Sequence, residues 1–435
     1  MNIHRYFRHL FATCKPTLAD MLESWENYST IFGIVMLQGV NMRLPVSWLR
    51  DMVDEFINQY QYFCQYRSKL AGRTPQEIET LRANSNVWST AEVLKTLNKL
   101  AEKSGIGEKL EAEFAGKTDA ISNSETSADE ESNVLTMLGY FGLLGLGRMH
   151  CLIGDYEAAL RATDPARLAQ KGALTALPSV HVDVYFHMGF AYMMCHRYCD
   201  AIRSLNALCA YVSRVQSAMA QKAGNSWEAL AKTTEQAYAM LAMCLSLSPM
   251  LQYVEEGVMA QLREKQGEKM IKMNRMEEKS FDDLFGASCP KFVLAEPDYS
   301  ELVNRNQDAY LNQLKIFMDE IRLFAGFHEL RSQLALYTSI SVPKLAKQMG
   351  MEDRALRPML ASYKERATAM QWSGEASNLS GTPSRCTDID FEIGADDVIH
   401  VIQTSAKSSS SDSLKRNIIM LEDVTKRIEA RALQV

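Results

Sequence analysis

Apolar residues recur every three or four positions along most of this chain, the period of an α-helix with one face turned inward. From Trp48 to Tyr66 the set Leu49, Val53, Phe56, Ile57, Tyr60 and Phe63 lines one such face, which requires a neighbouring helix to cover it. Thr74-Pro75-Gln76-Glu77 supplies a cap, a first-turn proline and an early acid, so the sequence predicts a helix beginning there. Ser89 or Thr90 caps the next, which runs to about Lys103.

A weak internal repeat follows. Gly147 to Arg161 laid over Gly189 to Arg203 aligns Gly with Gly, Tyr156 with Tyr198, Ala159 with Ala201, Leu160 with Ile202 and Arg161 with Arg203. Small residue, turn, aromatic, then Ala-aliphatic is the arrangement of tetratricopeptide-like helical hairpins, where the small residue lets two helices approach.

From Ser339 the pattern changes. Ser341-Val342-Pro343 opens a short helix holding Leu345, Ala346 and Met349, and Gly350 closes it. A second helix from about Asp353 places Leu356, Leu360, Tyr363, Ala367 and Met370 on one face. After a polar, Ser- and Gly-rich insertion at 373–384, Ile389, Phe391 and Ile393 alternate with acids as a strand does, and Gly394 to Asp397 turns into a second strand from Val398 to Ile402. Helix, helix, hairpin is the order of a winged helix. A final helix carries Leu414, Ile418, Leu421 and Ile428.

Length and charge sharpen the division. With 435 residues the chain exceeds what one core usually supports. Its net charge of -6 is too mild to announce a nucleic-acid binder, and residues 111–133, with seven acids against one base, account for all of it. That stretch cannot bury enough apolar surface to offset chain ordering and reads as a disordered linker. The expected domains are an N-terminal helical region (1–110), the acidic linker (111–133), a helical-repeat part (134–338), a winged helix (339–405), and a linker with a C-terminal interaction helix (406–435). The fold class is mainly α. The start, MNIHRYFRHLF, lacks the apolar core of a secretory signal, and no apolar run is long enough to span a bilayer, so a cytoplasmic protein with no membrane partner is expected. Nine scattered cysteines then read as reduced, buried thiols.

Candidate catalytic patterns do not hold up. His328-Glu329 begins a zinc-protease signature, but Ser332 stands where the second histidine is needed. Cys195, His196 and Cys199 lack a second ligand pair nearby, and packing explains them. Gly139, Gly142, Gly145 and Gly147 fit close helix packing better than a dinucleotide loop, having no preceding strand. There is no P-loop and no nucleophile elbow. No enzyme activity and no cofactor are expected.

Helical hairpins feeding a winged helix and a terminal helix is the plan of PCI-domain proteins, the scaffold subunits of the proteasome lid, the signalosome and translation initiation factor three. Residues 44–70 (LPVSWLRDMVDEFINQYQYFCQYRSKL), 81–100, 138–160, 189–203, 261–270 (QLREKQGEKM) and 284–292 (LFGASCPKF) resemble, in order, the L-subunit family of eukaryotic translation initiation factor three. Much of that family's upstream region has no counterpart here. The resemblance implies a structural subunit on the small ribosomal subunit, organising the preinitiation complex. Its partners would be sister subunits, especially PCI subunits such as E and K.

Three surfaces then become candidates. Val398, Ile399, His400 and Val401 are expected to form the wing edge that a neighbour's strand joins. Leu414, Ile418, Leu421, Thr425 and Ile428 follow coiled-coil spacing and would dock into partner helices or fold back on their own domain. Arg354, Arg357 and Lys364, opposite the apolar face, are candidates for ribosomal RNA contact, although residues 339–405 carry nine acids against seven bases. A scaffold of another PCI assembly and a winged-helix nucleic-acid binder remain the alternatives.

Overall fold

A computed structural model of the chain describes residues 15–38, 42–114, 132–166, 178–220, 224–296, 302–372, 377–385, 389–394 and 396–403, with a few single positions besides. They form two compact units. Unit 1 runs to Pro249, resumes over Val254–Arg322 and takes in Met370–Thr382; unit 2 comprises Met250–Tyr253, Leu323–Ala369 and the chain from Pro383. The protein is mainly α-helical.

Unit 1 opens on α1 (Leu18–Gln38), α2 (Val46–Arg67), α3 (Pro75–Ala83), α4 (Thr90–Ser104) and α5 (Ile106–Phe114). Thr74 and Glu77 form the reciprocal capping box at the start of α3, and the Ser89 hydroxyl caps α4 by accepting from the Glu92 amide. These helices close on an aromatic cluster. Trp88 lies fully buried between Trp25 and Phe56, each ring 5.1 Å away, and its indole N–H donates to the Met21 carbonyl at 2.9 Å.

The next helix, α6 (Val134–Ile153), is buried along most of its length against α2 and α4. Its glycine row makes that approach possible: a Cβ at Gly139 would overlap Ser104 and come within 3.0 Å of the Leu100 carbonyl oxygen. The described residues between 15 and 110 therefore share a core with the helices after the acidic stretch. Of the linker expected over 111–133, residues 115–131 lie outside the described residues, Glu111–Phe114 continue α5, and Asn133 bonds the Leu44 backbone.

From α6 the chain stacks as hairpins: α6 with α7 (Tyr156–Thr163), then α8 (Pro178–Met194) with α9 (Tyr198–Ala220), then α10 (Gly224–Leu247), and α11 (Glu256–Asn274) with α12 (Glu278–Ser288). Three turns share one geometry. At Gly154, His196 and Met276 the backbone is left-handed, with φ of 87°, 60° and 56°. Each turn closes with the same pair of bonds: Gly154 N–H to Cys151 O and Asp155 N–H to His150 O, His196 to Met193 and Arg197 to Tyr192, Met276 to Met273 and Glu277 to Lys272.

Helix α13 (Asp308–Leu334) meets all three turns along its first half. Gln313 accepts from the Tyr156 hydroxyl at 2.6 Å, Glu320 lies 3.5 Å from His196 Nε2, and Arg322 pairs with Glu278 at 3.2 Å. Gln313 and Glu320 are seven residues apart, roughly 10.5 Å along a helix. That matches the roughly 10 Å between packed helices.

Unit 2 is the winged helix. The end of α13, β1 (Ser339–Ser341), α14 (Val342–Gln348), α15 (Asp353–Arg366), β4 (Ile389–Ile393) and β5 (Val398–Gln403) enclose Leu330, Leu345, Leu356, Leu360, Phe391 and Ile399. Between α15 and β4 the chain forms β2 (Thr368–Gln371) and β3 (Thr382–Arg385), which pair as a two-stranded sheet. Two departures from the sequence pattern follow. The winged helix begins at Leu323 rather than Ser339, because the end of α13 supplies its first helix. Met370 lies on β2 and is 44% exposed, since α15 ends at Arg366.

Candidate interaction surface

The wing sheet has the order β1-β5-β4, antiparallel throughout. The Gly394 N–H donates to Val398 O, and the Val401 N–H donates to Thr338 O. Because hydrogen-bonded and non-bonded pairs alternate, residues 398, 400 and 402 bond toward β4, while 399 and 401 bond toward β1. Val398, Ile399, His400 and Val401 therefore occupy the central strand with both sides paired, and the edge expected at these residues lies elsewhere.

The outer side of β4, where Ile389, Phe391 and Ile393 direct their backbone groups, has no strand partner among the described residues. At its centre this edge is covered by side chains. The Phe391 N–H donates to Asp390 Oδ1 at 2.9 Å, and Lys364 Nζ donates to the Phe391 carbonyl at 3.0 Å. An incoming strand must displace both bonds, so these two residues restrict pairing at this edge.

The same geometry alters the basic face of α15. Lys364 reaches the wing, and Arg357 pairs with Asp397 at 2.8 Å with both side chains about half exposed. Arg354, the third candidate, stands exposed with no such contact among the described residues of the wing. The ion pair at Arg357 lowers the positive field this face offers to a phosphate backbone. The terminal-helix candidates Leu414, Ile418, Leu421, Thr425 and Ile428 lie outside the described residues.

Elsewhere several titratable groups are buried. Burial pushes the Cys195 thiol up to about 11, and His196 is held at its turn by Glu320. Among the described residues no group of three His, Cys, Asp or Glu side chains is placed to hold a metal. A cleft lined by Arg50, Asp54, Arg148, Asp183 and His187 has a cavity of about 40 Å³. Arg50 bridges Asp54 at 3.0 Å and Asp183 at 2.5 Å, and burial raises the Asp54 carboxyl above its ordinary value. Such a space admits a few waters rather than a substrate. No helix of the described residues is long and apolar enough to cross a membrane.

Sequence reasoning missed Lys364 and Asp390 as edge caps. Their spacing from Phe391 carries no periodic signal, since the contact depends on how the wing folds over α15.

Comparison with known proteins follows the whole chain. A protein-family model described as RNA polymerase I-associated factor PAF67 matches residues 20–421. Eukaryotic translation initiation factor 3 subunit L of Xenopus tropicalis is 35% identical over 432 residues, 98% of this chain and 75% of that protein. The proteins of the same name from Nematostella vectensis and Homo sapiens are each 34% identical, over 98% of this chain and 80% and 75% of their own lengths.

Proposed function

Since the chain belongs to the family of eukaryotic translation initiation factor 3 subunit L, we propose that it is a non-catalytic scaffold subunit of that factor, helping to assemble the preinitiation complex on the small ribosomal subunit. One observation carries the reading: identity of 34–35% extends over 98% of the chain to relatives that bear this one name. The family model's description concerns RNA polymerase I, but the named relatives concern translation, so translation is the function assigned.

In this reading the protein acts by geometry in the cytoplasm. The stacked hairpins present surface, and the PCI-type wing and the terminal helix hold sister subunits, with the E and K subunits as the expected neighbours. Augmentation in this reading uses an outer strand of the wing sheet, β1 or β4, rather than the central β5, and at β4 it requires displacing the Lys364 and Asp390 bonds. Ribosomal RNA contact is incidental in this reading, because two of the three candidate bases, Arg357 and Lys364, are engaged with the wing.

Leu421→Asp tests the terminal-helix part. A carboxylate placed in a desolvated seam costs far more than one in water. The variant should lose copurifying subunits while the isolated chain unfolds at an unchanged temperature. Undiminished copurification contradicts the proposed seam.

A further inference from the structure

Between Ala369 and Pro383 the chain leaves unit 2 and joins unit 1, and how it is held there is unusual. The Trp372 N–H donates to both oxygens of Asp200, at 3.1 and 3.2 Å, and its carbonyl accepts from Arg203 at 3.1 Å. Arg197 Nη1 donates to the carbonyls of Asn378 and Leu379 at 2.9 and 2.8 Å, and Nη2 donates to that of Ser380 at 3.2 Å. Its Nε meanwhile holds Asp200 at 2.9 Å. The Tyr192 hydroxyl also donates to Asn378 O, at 3.1 Å. The Asn378 N–H donates to Asp164 at 2.6 Å, and its side-chain amide donates to Leu160 O at 3.4 Å.

Arg197 and Asp200 are 7% and 3% exposed. A buried ion pair persists only where its remaining donors and acceptors are satisfied, and here main-chain groups of one short segment satisfy them. Among these bonds Asn378 supplies one through its side chain, to Leu160 O, and the others run to the segment's backbone. A site of this kind reads chain conformation, namely three successive carbonyls at a turn, more than residue type. Gly381 fits the same requirement, because a Cβ there would overlap the Gln371 carbonyl oxygen.

Within Ser377–Gly381 Asn378 is buried, Leu379, Ser380 and Gly381 are half-buried and Ser377 is exposed. Hydrogen bonds therefore hold it more than apolar burial does. We infer that Leu160, Asp164, Tyr192, Arg197 and Asp200 form a backbone-reading peptide site, which residues Ser377–Gly381 occupy in cis as a releasable strap. The site is independent of the translation reading, since it rests on contacts within unit 1 alone.

Hydrogen exchange on the full chain tests the strap. The Trp372 and Asn378 amides should exchange about tenfold faster, or more, in Gly381→Ala and in Arg197→Met, while α4 and α6 keep their protection. Should Arg197→Met fail to fold, Asp164→Ala takes its place. Unchanged strap amides in the folded variants overturn the inference. The second arm adds a fluorescent peptide spanning residues 371–383 in trans. Saturable binding to the Gly381→Ala chain, with none to wild type or to Arg197→Met, is the expected result. No binding to a Gly381→Ala chain whose strap has been released overturns the peptide site.

Discussion

Replacing Gly139 by Ala should destabilise the protein, and the same replacement at Gly267 should stabilise it. Both glycines lie inside helices, where Ala is favoured by about 1 kcal/mol. At Gly267 an added Cβ meets nothing within 4 Å, so that gain should appear in full. At Gly139 the Cβ overlaps Ser104 and sits 3.0 Å from a backbone oxygen. The Ser104 hydroxyl can rotate away, but Ser104 Cβ and the Leu100 carbonyl oxygen are fixed by the backbone. Overpacking of this kind costs about 1–3 kcal/mol, leaving a net loss of up to about 2 kcal/mol after the helical gain. Urea unfolding followed by tryptophan fluorescence reads the difference at unchanged slope, because Trp88 is buried in the same unit. Ser104→Gly removes both overlapping atoms, so the double variant should recover most of the loss as a coupling energy. Stability of Gly139→Ala at or above wild type, or no recovery in the double variant, refutes the close-packing argument for α6.

Three further outcomes follow from the geometry. Met276→Gly should stabilise the third turn by about 1 kcal/mol, because a left-handed backbone is costly for any side chain; a lower urea midpoint contradicts this. Burial pushes His181 and His187 down to about 4, below the ordinary 6.5, so the fold favours their neutral rings. Their stabilising contribution is complete above about pH 6.5 and declines as pH falls toward 4, by on the order of 1–3 kcal/mol in all; urea midpoints unchanged between pH 7.5 and 4.5 rule that out. Combining Lys364→Met with Asp390→Ala uncovers the β4 edge and should produce concentration-dependent self-association in sedimentation velocity, whereas a variant that stays monomeric shows these residues do not guard it.

Local chemistry was legible in the sequence where a residue type fixes a backbone event. The Thr74 box, the Ser89 cap, the Gly350 turn and the first two hairpins are each carried by a residue type suited to one position. The third hairpin was not, because its turn uses Met276, Glu278 replaces the aromatic, and Lys269 stands where Gly147 and Gly189 allow close approach. Hydrogen bonds fix that turn, and they leave no residue signature. Ser339–Ser341 is too short to show strand alternation, so β1 was hidden, and with it the central place of β5. Alternation reveals which face a residue takes but not the order of strands. The Ser- and Gly-rich composition of 373–384 gave no sign that Asn378 is buried, because the groups recognising its segment are supplied by Arg197, Tyr192 and Asp164, far away in sequence.

The proposed scaffold role is tested most directly by what travels with the protein. Tagged protein drawn from cytosolic lysate at moderate salt and sedimented should carry other subunits of translation initiation factor 3 and peak with the small ribosomal subunit. Recovery instead with subunits of the proteasome lid or the signalosome, or with nucleic acid and no protein partner, contradicts it.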